Sequence, residues 1–290
     1  MCYKAVSRTS DYYLHSSVFM SKFFYSLFFS AVLLCSVLSL AQGGPNTRVS
    51  LISDAASATP GSKINVGIRF QLEPGWHIYW INPGDSGEPA EVNWHLPAAW
   101  KAGAIQWPAP ERMANPAGID YGYEGDVLLL TSLQLPKDAF ANTEVVNADL
   151  HWLVCKNMCV AQKGSASLIM QVVKTGAKAN DTGAQAINAV RAKLPKPLPA
   201  EWKANVFSKP GQFVLNFRPG AKVEKAEFFP LDKEVIENSA PQKMSSTSTR
   251  AQLVLKKDEG SSKVNSLKGV LVINGVDAYN VDLPFKAGHS

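Results

Sequence analysis

Two cysteines, Cys155 and Cys159, stand close together in residues 149–160, which read DLHWLVCKNMCV. A pair so spaced can close a disulfide that staples the fold, exchange that disulfide with partner thiols, or offer thiolates to a soft metal ion. Four positions along a straight strand span about 13 Å, far beyond disulfide reach, so the chain must turn between the sulfurs if they pair. Lys156 and Asn157 supply turn chemistry, and the apolar run 150–154 delivers the pair at the end of a strand. In the chain-entropy account a bridge stabilises more as its loop lengthens, so a ring this small gains little and is the easier to reduce. On the residues alone, a redox pair and a structural staple stand level.

The neighbours of the pair add little. Lys156 is adjacent and could favour a thiolate, although a lysine beside a cysteine is common. His151, in a strand, would share a face with Cys155 but sit too far away, and it reads as a structural or exposed histidine. A copper reading would use Cys155 and Cys159 with His151 or Met158, since thiolate and thioether ligands suit Cu(I), but no His/Met cluster completes the coordination. A third reading is a non-catalytic interaction module with a structural disulfide.

The N-terminus sets the compartment. Residues 23–40 form a nearly continuous apolar run behind Lys22, ending in the small-x-small pattern Ser39-Leu40-Ala41. Residues 1–41 therefore read as a secretory signal peptide, with Gln42 as the new N-terminus and Met20 as an alternative start. An uncleaved anchor is the competing reading, because a run of that length can span a bilayer. No later segment is apolar enough to cross a membrane. Cys2 and Cys35 leave with the signal, and export places Cys155 and Cys159 in an oxidising compartment.

The rest of the chain must position the pair. It has 290 residues, 46% hydrophobic and 18% charged, which fits folded domains rather than a disordered chain. The net charge of +5 is dispersed, without the Lys/Arg block of a nucleic-acid binder. Residues 63–72 alternate Ile64, Val66, Ile68 and Phe70 inward, and 48–53, 76–81, 92–96, 105–107, 127–135, 145–154 and 165–173 also read as strands. Residues 82–89 and 111–125 read as loops. Residues 42–174 thus predict an antiparallel β-sandwich, residues 175–200 a linker with one short helix ended by prolines, and residues 201–290 a second, smaller β-sandwich. The second unit holds no cysteine and reads as a spacer or docking platform. No Ser/His/Asp set, paired-carboxylate motif or phosphate loop is present, and no cofactor is expected.

The motifs Gly75-Trp76-His77-Ile78-Tyr79-Trp80, Gly84-Asp85-Ser86-Gly87-Glu88-Pro89, Trp107-Pro108-Ala109-Pro110, Tyr121-Gly122-Tyr123-Glu124-Gly125 and Trp152-Leu153-Val154-Cys155, followed by Cys159, occur in that order. Over about residues 48–173 the chain resembles the periplasmic N-terminal domain of the DsbD/ScsB thiol:disulfide interchange proteins. Ala226-Glu227-Phe228-Phe229-Pro230 and Val272-Ile273-Asn274-Gly275 resemble the following segment of the longer ScsB-type proteins.

The resemblance implies an all-β chain of two tandem immunoglobulin-like sandwiches, located in the periplasm. It implies that Cys155 and Cys159 pass electrons from a thioredoxin-like donor to disulfide-containing periplasmic proteins, with Cys159 forming the mixed disulfide. It also implies a loop capping the pair, falling on Asp120, Tyr121, Tyr123 and Glu124, with Tyr123 near the shielding aromatic. The cysteine spacing is shorter than in the best-known DsbD members. The sequence also runs to Ser290 without the membrane or C-terminal thioredoxin-like domains, so the donor is expected to be a separate protein.

Overall fold

The computed structural model describes residue 44, residues 46–116 and residues 118–287; the expected signal segment lies outside them. The first half is built from Thr47–Ser53 (β1), Ser57–Ala58 (β2), Lys63–Leu72 (β3), His77–Gly84 (β4), Glu91–His95 (β5), Lys101–Ala102 (β6), Glu111–Asn115 (β7), Gly118–Glu124 (β8), Asp126–Gln134 (β9), Asn142–Cys155 (β10) and Cys159–Val172 (β11). One sheet runs β1-β3-β9-β6; the other runs β2-β11-β10-β4-β8-β7, with β5 paired to β10. Ile64, Val66, Ile68 and Phe70 of β3 are buried, as their alternation predicts. They share a core with Val146, Ala148, Leu150 and Trp152 of β10 in the facing sheet. Phe70 meets Trp152 edge-on across the gap, ring centres 5.7 Å apart.

Strand β9 is apolar on both faces because both are covered. Leu129 and Leu133 enter the core, while Leu128 and Leu130 pack with Ile187 on the opposite side. Ile187 belongs to the helix Asp181–Arg191 (α1), which the spacing of Ala186, Ile187, Val190 and Leu194 anticipates. The helix does more than link. Its N-cap Asn180 accepts from Gly183 N and donates to Ser53 O at 3.0 Å, binding the helix start to β1.

The second half comprises Lys196–Pro197 (β12), Asn205–Lys209 (β13), Gln212–Phe217 (β14), Ala226–Pro230 (β15), Lys243–Ser246 (β16), Ala251–Lys256 (β17), Ser266–Ile273 (β18) and Asp277–Ala287 (β19). A second, smaller sandwich is expected here. Its strands follow one path, β15-β18-β19-β13-β14-β17-β16, with β12 on β19. Phe213, Leu215 and Leu253 from one arm and Phe228 and Leu271 from the other share one core, so the sheet encloses its own interior. β19 makes this possible by pairing antiparallel with β18 and parallel with β13. One loop expectation is corrected. Residues 111–125 contain the β7–β8 hairpin.

The halves are packed together. Successive side chains of β15 point oppositely: Phe228 joins the second core, and Phe229 joins the first, with Val270, Val272 and Ala278. The Phe229 ring lies edge-on to Tyr121 at 5.2 Å and Trp80 at 6.4 Å. Phe229→Ala is therefore expected to cost about 3–5 kcal/mol, read as a lower urea midpoint with the first half losing stability although the mutation lies in the second.

Candidate functional site

The full-length pairing of β10 with β11 brings the cysteines together. The ladder runs from Asn142↔Val172 to Cys155↔Cys159, leaving Lys156, Asn157 and Met158 as the turn. Cys155 and Cys159 form a disulfide with their Cα atoms 4.1 Å apart. The sulfur-bearing residues are unequal in access: Cys155 is 2% exposed, whereas Cys159 is exposed to solvent.

Strand β4 lies beside the end of β10, with His77 opposite Cys155. Its side chains alternate between two destinations. Ile78 and Trp80 enter the sandwich core, while His77 and Tyr79 contact one another edge-on on the other face. The Tyr79 hydroxyl donates to Cys155 Sγ at 2.8 Å and lies 3.4 Å from Cys159 Sγ. Burial raises the Tyr79 pKa to about 12, and the negative charge of Asp120 adds to the rise. The hydroxyl thus keeps its proton at neutral pH and stays a donor.

Asp120 anchors the polar surroundings. It is buried, its Oδ1 accepts from Ser86 N at 3.1 Å and Ser86 Oγ at 2.8 Å, and Asn115 Nδ2 donates to its Oδ2. His77 Nε2 lies 3.7 Å from the same carboxylate. Above Tyr79 passes Gly87, whose backbone has φ +82°; a Cβ there would sit 2.2 Å from Tyr79 Cζ, so only glycine lets the 84–87 turn lie against the ring.

Several sequence expectations are revised. Asp120, Tyr121, Tyr123 and Glu124 lie in strand β8, not in a capping loop. Of these Asp120 is near the sulfurs through Tyr79. The Tyr121 hydroxyl instead donates to Asn238 Oδ1 and the Tyr123 hydroxyl to Pro108 O, each at 2.8 Å; burial raises both of their pKa values. Glu124 is exposed on the strand opposite His77. The cause is the β4–β8 ladder, which holds this stretch extended and directs Tyr121 and Tyr123 into packed surroundings. Tyr79 takes the place beside the sulfurs. It lies in the strand expected over 76–81 and is buried; the signal for more is that a buried tyrosine hydroxyl needs a partner.

Lys156 donates to Pro74 O at 3.2 Å. His151 and Met158 are exposed, and among the described residues no group of three His, Cys, Asp or Glu is placed to hold a metal. No helix of the described residues is long and apolar enough to cross a membrane.

Residues 50–170 match the family described as thiol:disulfide interchange protein DsbD, N-terminal. The crystal structure of the N-terminal periplasmic domain of ScsB from Proteus mirabilis superposes with a TM-score of 0.64 at 17% identity, over 84% of this chain and 95% of that one. A protein of unknown function from Porphyromonas gingivalis W83 aligns over 83% of this chain and 100% of that one at 9% identity, with a TM-score of 0.24 from which no common fold follows. No curated protein sequence matches.

The raised Tyr79 pKa makes an alkaline prediction. Unfolded tyrosine ionises near pH 10, whereas folded Tyr79 holds its proton to about 12. Its contribution is present in full below pH 10 and is lost as pH rises through 12. Chemical denaturation between pH 9 and 12 should show stability falling with pH. Tyr79→Phe should flatten that fall in part, Tyr121 and Tyr123 supplying the remainder.

Proposed function

We propose, from the match of residues 50–170 to the DsbD N-terminal family, that the protein is a periplasmic thiol–disulfide exchange protein acting through Cys155 and Cys159. The observation that carries the proposal is the asymmetry of the pair: an exposed Cys159, and a buried Cys155 whose sulfur accepts a hydrogen bond from Tyr79.

In-line attack needs access to one sulfur and a stable leaving group at the other. A thiolate of a thioredoxin-like dithiol donor attacks Cys159 Sγ. The donor–Cys159 bond forms, the Cys155–Cys159 bond breaks, and its electron pair leaves on Cys155 as a thiolate. The Tyr79 hydroxyl, already aimed at that sulfur, stabilises the new charge. The second donor cysteine then attacks the mixed disulfide and releases Cys159, leaving the donor oxidised and this pair reduced by two electrons. Discharge runs in reverse: the Cys159 thiolate attacks a disulfide of a periplasmic protein, and Cys155 resolves the mixed disulfide, regenerating the bridged state. Asp120, Ser86 and Gly87 serve by holding Tyr79 in place.

Two measurements test this. The pair should equilibrate with glutathione or dithiothreitol at roughly −180 to −270 mV, and a value well below about −300 mV would mark a structural staple. Cys155→Ser should accumulate a reducible mixed disulfide through Cys159 with a thioredoxin-like partner, while Cys159→Ser should yield none. Equal trapping by both variants would remove the assigned roles.

A further inference from the structure

We propose that the second half of the molecule positions the redox pair, and that Asn238 is the positioning residue through which it does so. The inference rests on the exchange reading above and gives the second half a part in it. Asn238 sits just beyond Val235 and Ile236, both buried in the second core, and its segment is pinned to the end of β17 by Glu237 N donating to Lys256 O at 3.0 Å. Its side chain, however, faces the first half and is used at both ends. Asn238 Nδ2 donates to Asp85 Oδ1 at 2.7 Å, and Asn238 Oδ1 accepts from the Tyr121 hydroxyl at 2.8 Å. Its backbone carbonyl accepts from Arg112 of β7.

Asp85 passes the constraint onward. Its other oxygen accepts from Ile119 N at 2.7 Å, and its own N–H donates to Ile119 O at 2.9 Å, so the turn is clamped to β8. The next residue, Ser86, holds Asp120 by two hydrogen bonds, and the one after, Gly87, lies on the Tyr79 ring. Tyr79 reaches Cys155 Sγ. A second tether, Asn82 Nδ2 to Pro230 O at 2.8 Å, fixes the start of the same turn to the end of β15. The segment 82–87, the end of β4 and the turn after it, is thus a strap anchored on the second half at Asn82 and Asp85 and pressed on the sulfur-binding tyrosine at Gly87. A spacer or docking platform would not need side-chain amides aimed at the turn that seats Tyr79.

Loss of the Asn238 amide leaves the Asp85 carboxylate and the Tyr121 hydroxyl each short of a partner and removes one of the strap's two anchors on the second half. Tyr79 then holds the sulfur less well. In purified protein, Asn238→Ala is expected to slow reduction of the Cys155–Cys159 disulfide by dithiothreitol about fivefold, the scale of one neutral hydrogen bond. It should also move Cys155 thiol ionisation to higher pH, followed by thiolate absorbance in a Cys159→Ser background. A double-mutant cycle separates positioning from general loosening: in a Tyr79→Phe protein, Asn238→Ala should have no further effect on either readout. Should Asn238→Ala fail to fold, Asn238→Asp keeps the size and still replaces the donor to Asp85 with a repelling acceptor. Unchanged rate and ionisation in the Asn238 variant, or the same slowing with Tyr79 present and absent, would overturn the proposal. Failure of the exchange reading shows differently, as a parent disulfide with a potential below the exchange range, while the Cys155 ionisation shift still reports on Asn238.

Discussion

The register of the β10–β11 hairpin is the constraint on which the site depends. A slip of one residue by β10 would turn every one of its side chains to the opposite face. It would separate Cys155 from Cys159 and take Val146, Ala148, Leu150 and Trp152 out of the core. The same burial that stabilises the sandwich therefore brings the sulfurs into apposition, and the long ladder from Asn142 to Cys155 makes the short turn at its end dependable. The next strand over, β4, uses alternation in a complementary way, spending Ile78 and Trp80 on the core and leaving His77 and Tyr79 for the sulfur side.

Much of this was legible in the residues. Alternation in β3 and the apolar run of β10 identify two sandwiched sheets, the spacing of Ala186, Ile187, Val190 and Leu194 identifies the helix, and the turn between Cys155 and Cys159 follows from the length of an extended chain. What escaped were properties set by long-range pairing. Residues 111–125 are rich in glycine, tyrosine and charge and read as loop, but they form a hairpin because β4 offers β8 a ladder. The burial of Tyr79 is visible in its aromatic setting, but the sulfur it meets lies far along the chain. The helix reads as a linker because nothing local says that Leu128 and Leu130 await a cover.

The second half was least legible for a related reason. Its strands are short and ordinary, and nothing local in them distinguishes a free-standing sandwich from a sheet that lends Phe229, Val270 and Val272 to its neighbour. The adjacent phenylalanines Phe228 and Phe229 are the clue: on a strand, two successive large apolar residues need apolar surroundings on both faces. One face is its own core, and the other is the surface of the first half beside Trp80 and Tyr121.

The place of β19 in its sheet bears on the order in which the molecule can be built. This strand, the last of the described chain, joins β18 to β13 and so connects the two arms around the second core. As the chain leaves the ribosome from its N-terminus, the strands of the first half can pair among themselves. The second core cannot close until residues 277–287 arrive, because that closure depends on contacts distant in sequence. Until then Phe229 and the segment at Asn82 have no settled counterpart, so the surroundings of the disulfide are completed only once β19 has joined its sheet.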